Sequence, residues 1–435
     1  MNRLFLLAGL LTSPIAPAQT VLRSVQEAIA QARQQNPDLQ LARQNRAVQD
    51  YQLAATRSAL RPQARAFANF DYNYALPTQL IPAEFLGGQP GEFRSLQFGV
   101  PFNFTAGAEV TAPLLNRSAR LDVDLTRRNL QLIDDQNLVL QDEVSTQVAR
   151  LYHATLLTRS AIDLTRRNVA STDTIVRIAR QRLQKGLIEP LEVNRLESAR
   201  LTAEDVLRQN QLSYVRNLNQ LKLALGVPLR DSLVLAESLD QLNPAQAAAL
   251  PTADRPQVGL RRSQIELYRL QLEREKAQRW PTLTAYLRFS EQAQRKEFNF
   301  FDVNQRWFPI GVTGLQLNVP LFTGGLRPAN LSRARLRIRQ AEAELAYEQA
   351  RAEVDNQDVF NTYGQAIGSL ALNRRNFQLS EENTRIALIK YRAGVFAYDQ
   401  YLNVFNEALN AQNRYLNTLS NVFINQTILQ IRQAP

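Results

Sequence analysis

The chain has no cysteine, one histidine and one methionine in 435 residues. The absence of Cys excludes disulfides, thiolate metal sites and thiol nucleophiles. The sole histidine, His153, has no second imidazole with which to share a metal, and no Ser, His and Asp residues fall into a nucleophile motif. Long hydrophobic runs are missing too. The apolar stretch Leu4–Leu11 is shorter than the ~18 residues that a membrane helix needs, and no later run approaches that length. Acidic residues are outnumbered, 40 against 51 basic, which gives a net charge of +11. The excess is spread along the chain with no run of five cations and no interleaved aromatic platform, so nucleic acid is not the indicated partner.

What is present begins with a targeting signal. Arg3, the apolar stretch and the small-x-small end Ala16-Pro17-Ala18 predict a secretory signal peptide over residues 1–18, cut before Gln19. With no Cys following it, a lipid-anchored N-terminus is not expected. The rest, with 45% hydrophobic and 21% charged residues overall, reads as folded and is long enough for two or three ordinary domains.

Glycine and proline are absent from Arg117 to Lys185, 69 residues in a row, which predicts one uninterrupted helix. Just before it, "FGVPFNFTAGAEVTA" (98–112) is apolar or Ala at every even position and Gly, Pro or polar at every odd one. A period of two marks a strand with one apolar and one wet face. The whole arrangement is written twice. "NPDL" (36–39) precedes Pro62 and "RPQV" (255–258) precedes Pro281, each pair of prolines 25 residues apart. Alternating segments follow each second proline, and further alternating segments end in "APLL" and "VPLF". Each copy then enters a long helix that stops at a glycine, Gly186 or Gly394. The order is helix, strand, loop, strand, long helix, tight turn, helix. It divides the chain into a first repeat (19–226), a linker (227–253) and a second repeat (254–431), with strands at about 63–74, 98–112, 282–290 and 308–322. The apolar phase of the last strand flips near Gly314, which predicts a bulge. The helix before Pro62 is expected to start near Arg23, and 75–93 and 291–307 read as loops.

The long helix carries a seam. Val148, Leu151, Thr155, Thr158, Ile162, Thr165, Val169, Thr172, Val176, Ala179 and Leu183 are spaced 3 and 4 in alternation, a coiled-coil stripe. Two-faced strands of 10–15 residues suit a barrel wall between lipid and water. Four of them are too few for a barrel of about eight or more, so they must close with strands of other copies.

In order and spacing these motifs resemble the TolC family of outer-membrane efflux proteins. The carriers are the two proline pairs, "APLL" and "VPLF", "LKLALGVPL" (221–229) and the turn motifs "KGLIEPLEV" and "RAGVFAYDQYL". The resemblance covers essentially the whole chain after the signal. It implies a mainly α protein with a membrane β-barrel: long coiled-coil hairpins plus four amphipathic strands per chain, in a trimer whose twelve-stranded barrel continues into an α-helical tunnel. It implies an outer-membrane location with the tunnel in the periplasm. The implied partners are a periplasmic adaptor and an inner-membrane transporter, and no cofactor or catalysis is implied. The linker would lie at the tunnel's equator.

The resemblance also points to residues. The family's closed periplasmic end uses side chains near the two turns, with an acidic pair after the second. Here the matching positions are Gln400 and Asn403, so that negative ring is absent or moved to Asp399, Glu189 or Glu192. Glu192 and Tyr391 match a lock whose arginine is replaced here by Phe396. Either Arg392 substitutes, or closure is apolar through Phe396 and Tyr398, or these are ordinary turn residues. Gly186 and Gly394, with Lys185, Leu187, Ala393 and Val395, form the tips that the resemblance assigns to adaptor docking; purely structural turns are the other reading. An adaptor or coiled-coil scaffold without a pore is the alternative function, and it leaves the four two-faced strands unexplained.

Overall fold

The computed structural model describes residues 19–239, 242, 244, 250–251, 254–302 and 304–433. The expected signal peptide and most of the linker's second half lie outside them. The chain divides into two compact units, one of residues 1–45, 133–262 and 344–435, the other of 46–132 and 263–343. No helix among the described residues is long and apolar enough to cross a membrane.

The second unit holds a four-stranded antiparallel sheet in the order β2 (Gln63–Tyr72), β5 (Phe102–Leu115), β7 (Thr282–Arg295), β8 (Phe308–Asn318). Residues directly opposite in such a ladder share a face. One face collects Ala64, Val110 and Leu287, then Ala66, Ala108 and Phe289, then Ala112, Ala285 and Leu315. The other collects Gln63, Thr111 and Tyr286, then Arg65, Glu109 and Arg288, then Asn69, Thr105 and Gln292. At about 3.3 Å per residue, the 14-residue β7 reaches across an apolar layer of about 25 Å even when tilted by about 40°.

Three local expectations are corrected. No bulge occurs at Gly314: it pairs with Tyr286 in unbroken register. A Cβ at Gly314 would lie 2.7 Å from the Tyr286 hydroxyl oxygen and 2.8 Å from its Cζ, so the glycine makes room for a ring. The phase flip is left uncorrected, and Phe308, Ile310 and Val312 stand on the polar face. The register shift falls instead between Pro113 and Leu115, where proline removes a ladder donor. The expected loop 75–93 is part of an antiparallel ribbon, β3 (Thr78–Pro82) with β4 (Phe93–Gln97), joined through a 3-10 turn at Ala83–Leu86. The strand expected from residue 98 begins at Phe102: Gly99 takes φ +104, and Pro101, opposite Asn73, accepts the Asn73 N–H but has no N–H to return.

Among the described residues the first unit is helical apart from β1 (Gln19–Leu22), which pairs in parallel with β6 (Ser232–Leu235). The segment before Pro62 is two helices, α1 (Val25–Gln35) and α2 (Pro37–Ser58), not the single one expected. The break is the "NPDL" motif. Asn36 accepts from the Asp38 and Leu39 N–H groups, and its Nδ2 donates to the Ala224 carbonyl at 2.8 Å. It therefore caps α2 and ties it to α4 (Pro190–Leu225) at once. In "RPQV", Arg255 precedes α5 (Pro256–Ala277) and bridges Asp142 and Asp355. Two helices of 68 residues, α3 (Arg117–Gln184) and α6 (Leu326–Ala393), run to the two turns, and α7 (Tyr398–Gln433) returns from the second. The seam residues Val148, Thr155, Thr165, Thr172, Val176 and Ala179 are buried; each of those three threonines satisfies its hydroxyl on the carbonyl four residues back.

Candidate functional site

The first turn follows α3. Gly186 sits at φ +69, its N–H donates to the Leu183 carbonyl at 2.9 Å, and the Leu187 N–H reaches back to Arg182 O at 3.0 Å. The second turn repeats this: Gly394 at φ +79, its N–H on Tyr391 O at 3.0 Å, and Val395 N–H on Lys390 O at 2.9 Å. This is the helix-ending motif in which a left-handed glycine is followed by an aliphatic residue that packs back on the helix. A third copy closes α4 at Gly226, and there the aliphatic residue, Val227, is buried. At the turns the corresponding Leu187 and Val395 are 67% and 70% exposed. Lys185, Gly186, Ala393 and Gly394 are exposed beside them.

Just inside the turns an apolar cluster joins both repeats: Ile175, Val176, Ala179, Val193, Leu196, Ala387, Tyr391, Tyr401 and Phe405, with Phe396 and Tyr398 packed against it. Three cations cover its aromatic rings. The Arg182 guanidinium lies 4.8 Å from the Tyr391 ring and donates to the Arg392 carbonyl at 3.2 Å. Arg195 donates to the Tyr398 hydroxyl at 2.7 Å, and Lys390 Nζ lies 4.8 Å from the Phe396 ring. Such pairs contribute about 0.5–2 kcal/mol each. Burial pushes the Tyr391 phenol up, against the opposing pull of Arg182. Farther in, Arg200 and Arg180 hold the Glu197 carboxyl below its usual range, the Arg200 hydrogen bond being the main cause.

The sequence-derived candidates thus separate. Tyr391, Phe396 and Tyr398 come together. Glu192 and Arg392 make no ion pair among the described residues, although the Glu192 charge acts on Tyr391. Gln400 accepts the Ala397 N–H at 3.1 Å, the back-bond of a helix-capping box. Asp399, Asn403 and Glu189 are exposed. Arg182 and Arg195 were missed. The signal was positional: Arg182 stands four residues before Gly186, as Lys390 does before Gly394.

The sheet offers a second surface. Toward the ends of the strands farthest from the helices, its apolar face carries Phe70, Tyr72, Phe102 and Phe104; Phe298, Phe300 and Trp307 of the 291–307 segment meet Phe70, Phe102 and Phe104 edge-on or tilted, at centroid distances of 5.6–6.1 Å. At the helix end, Trp280 lies beside Arg117 and Arg279, at 5.0 and 5.9 Å. Aromatic girdles flanking an apolar band are the mark of a membrane-spanning strand wall.

A two-faced sheet and long helical hairpins are the parts that the family resemblance leads one to expect. Residues 28–227 and 251–430 match the outer membrane efflux protein family, and the chain belongs to that family. It is 26% identical over 269 residues to the proteases secretion protein PrtF of Dickeya chrysanthemi, covering 59% of this chain and 54% of that protein. It is 23% identical over 370 residues to the outer membrane efflux protein BepC of Brucella suis biovar 1, covering 84% and 76%. The chain thus spans about half the length of PrtF and three quarters of BepC. Its fold is similar to that of the Campylobacter jejuni CmeC outer membrane channel, with a TM-score of 0.73 at 14% identity over 94% of this chain and 85% of that one.

Proposed function

We propose that three copies of this chain close a twelve-stranded barrel in the outer membrane and act as a passive exit duct. The duct would serve a tripartite efflux or type I secretion system, taking cargo from an inner-membrane transporter through a periplasmic adaptor. The observation that carries this is the sheet. It has an apolar and a polar face, and β2 and β8 are edge strands without an outer partner among the described residues. Unpaired strand edges are not tolerated in lipid, and pairing β8 of one copy with β2 of the next removes them. A second support is the apolar stripe of α6, where Tyr347 and Val354, and then Leu372, Leu379 and Ile386, recur at intervals of seven and are exposed in the single chain. A stripe of that period suits a neighbouring helix.

The test is conductance of the purified protein in a planar lipid bilayer. Discrete, long-lived steps are expected. An Arg182→Gln/Arg195→Gln variant, with two of the ring-covering cations gone, should step more often, because the resting mouth is held shut by the cation-covered rings of Tyr391, Phe396 and Tyr398. Protein that is shown to be inserted yet stays silent in both forms would overturn the duct.

The tips are the adaptor's docking point in this reading. Leu187 and Val395 occupy a position that buries its side chain at Gly226, and they leave it in water. Placing Asp at both should abolish photo-crosslinking from position 393 to a periplasmic adaptor while trimers and conductance persist. Undiminished crosslinking would move the docking site elsewhere.

A further inference from the structure

On the polar face of the sheet, charge is concentrated in one row. Across its four strands that face carries only Arg65, Asp71, Glu109 and Arg288. Asp71 is six residues along β2 from Arg65, about 20 Å at 3.3 Å per residue. The other three pair directly: Arg65 opposes Glu109, and Glu109 opposes Arg288. Both arginines converge on the same carboxylate oxygen, Arg65 Nη2 at 2.9 Å and Arg288 Nη2 at 2.8 Å. The carboxylate is covered, its side chain 11% exposed, while the Arg65 and Arg288 side chains are 68% and 49% exposed. The Phe67 ring, 5.5 Å from the Arg288 guanidinium, holds that side chain against the sheet. The row therefore presents two guanidiniums to the space in front of it and hides the one anion beneath them.

We propose that this row is an anion filter in the barrel lumen, so that the duct favours cargo bearing carboxylate, phosphate or sulfate groups. The inference rests on the trimeric duct: with the apolar face toward lipid, the polar face encloses the lumen, and threefold symmetry sets three copies of the row at one level. The ring then holds six guanidiniums over three covered carboxylates. Arginine suits the task because its planar fork offers paired donors to oxyanions and stays charged at every working pH. A ring of one sign in a low-dielectric wall raises the local concentration of the opposite ion. The effect must fade with salt, since screening extends about 10 Å at 0.1 M and about 3 Å at 1 M.

The measurement is the reversal potential of single channels under a KCl gradient at low and at high salt. Wild-type channels should favour chloride at low salt and lose that preference at 1 M. Arg65→Gln/Arg288→Gln leaves the row one negative charge per chain, and the sign of the potential should reverse. Glu109→Gln keeps an acceptor for both arginines, so it preserves the row's geometry if the double variant fails to assemble, and it should strengthen the chloride preference. Channels that conduct but favour potassium, or whose selectivity is unmoved by either change, would overturn the filter and leave the duct standing. Inserted protein with no steps at all would instead sink the duct, and the filter with it.

Discussion

Gly226→Val should destabilise the helical unit severely. Gly226 ends α4 at φ +70, a conformation that a β-branched residue adopts only with strain. Strain is the smaller part. A Cβ there would lie 2.2 Å from the Gln35 carbonyl oxygen and 2.9 Å from its carbon, and these are backbone atoms that cannot swing away. They cannot move as a body either. Asn36 next to them is fixed by its own three hydrogen bonds, one of them to the Ala224 carbonyl in the last turn of α4. The expected loss exceeds about 3 kcal/mol, from a left-handed non-glycine residue and a backbone overlap together. Gly186 and Gly394 provide the control, because they end their helices in the same motif. Nothing lies within 4 Å of a Cβ at Gly186, and at Gly394 only the Arg182 Nη2 does, at 3.4 Å. Alanine at either turn should cost about 1 kcal/mol. Thermal unfolding followed by circular dichroism in detergent separates the three, and a Gly226→Val protein as stable as Gly186→Ala would refute the argument.

Lowering the pH from 7 toward 4 should destabilise the helical unit through one side chain, His153. It is 2% exposed, stacked on Phe423 at 6.0 Å and edge-on to Tyr152 at 5.6 Å. Its Nε2 lies 2.9 Å from Thr427 Oγ1, whose hydroxyl proton is already given to the Phe423 carbonyl. The imidazole must therefore donate from Nε2, which leaves Nδ1 bare and buried without a partner. A second proton would go on Nδ1, where no acceptor waits, and burial pushes the pKa down to about 4 from 6.5. The folded value is depressed, so the unfolded chain takes up the proton first as pH falls. Stability is whole above about pH 6.5 and declines until about pH 4, by about 3 kcal/mol in all. In His153→Gln that slope should vanish, although the variant starts less stable at pH 7. Parallel pH profiles for the two proteins would show that His153 contributes nothing to the acid sensitivity.

The glycines at 186 and 394 were legible as helix ends because an uninterrupted run followed by Gly has one reading in local physics. The strands were legible because alternation of period two is a property of neighbouring residues. What sequence reasoning missed needed partners far along the chain. Asn36 looked like a repeat marker within one helix; its cap on α2 is made with neighbours, but its tie to α4 depends on Ala224, 188 residues away. Arg182 and Arg195 are ordinary cations until the second repeat brings Tyr391 and Tyr398 beneath them. The phase flip near Gly314 was visible, but the reason for the glycine, the Tyr286 ring, lies on the neighbouring strand.

The sequence alone determined the mainly helical class, the duplicated order of elements, four two-faced strands and the turns at Gly186 and Gly394. Each follows from spacing along the chain or from the backbone freedom of single residues. Tertiary structure decided which residues share a row and which cations meet which rings. Arg65, Glu109 and Arg288 are separated by 44 and 179 residues, and only the strand register sets them against one another. A shift of one residue in that register would have sent the same side chains to the apolar face.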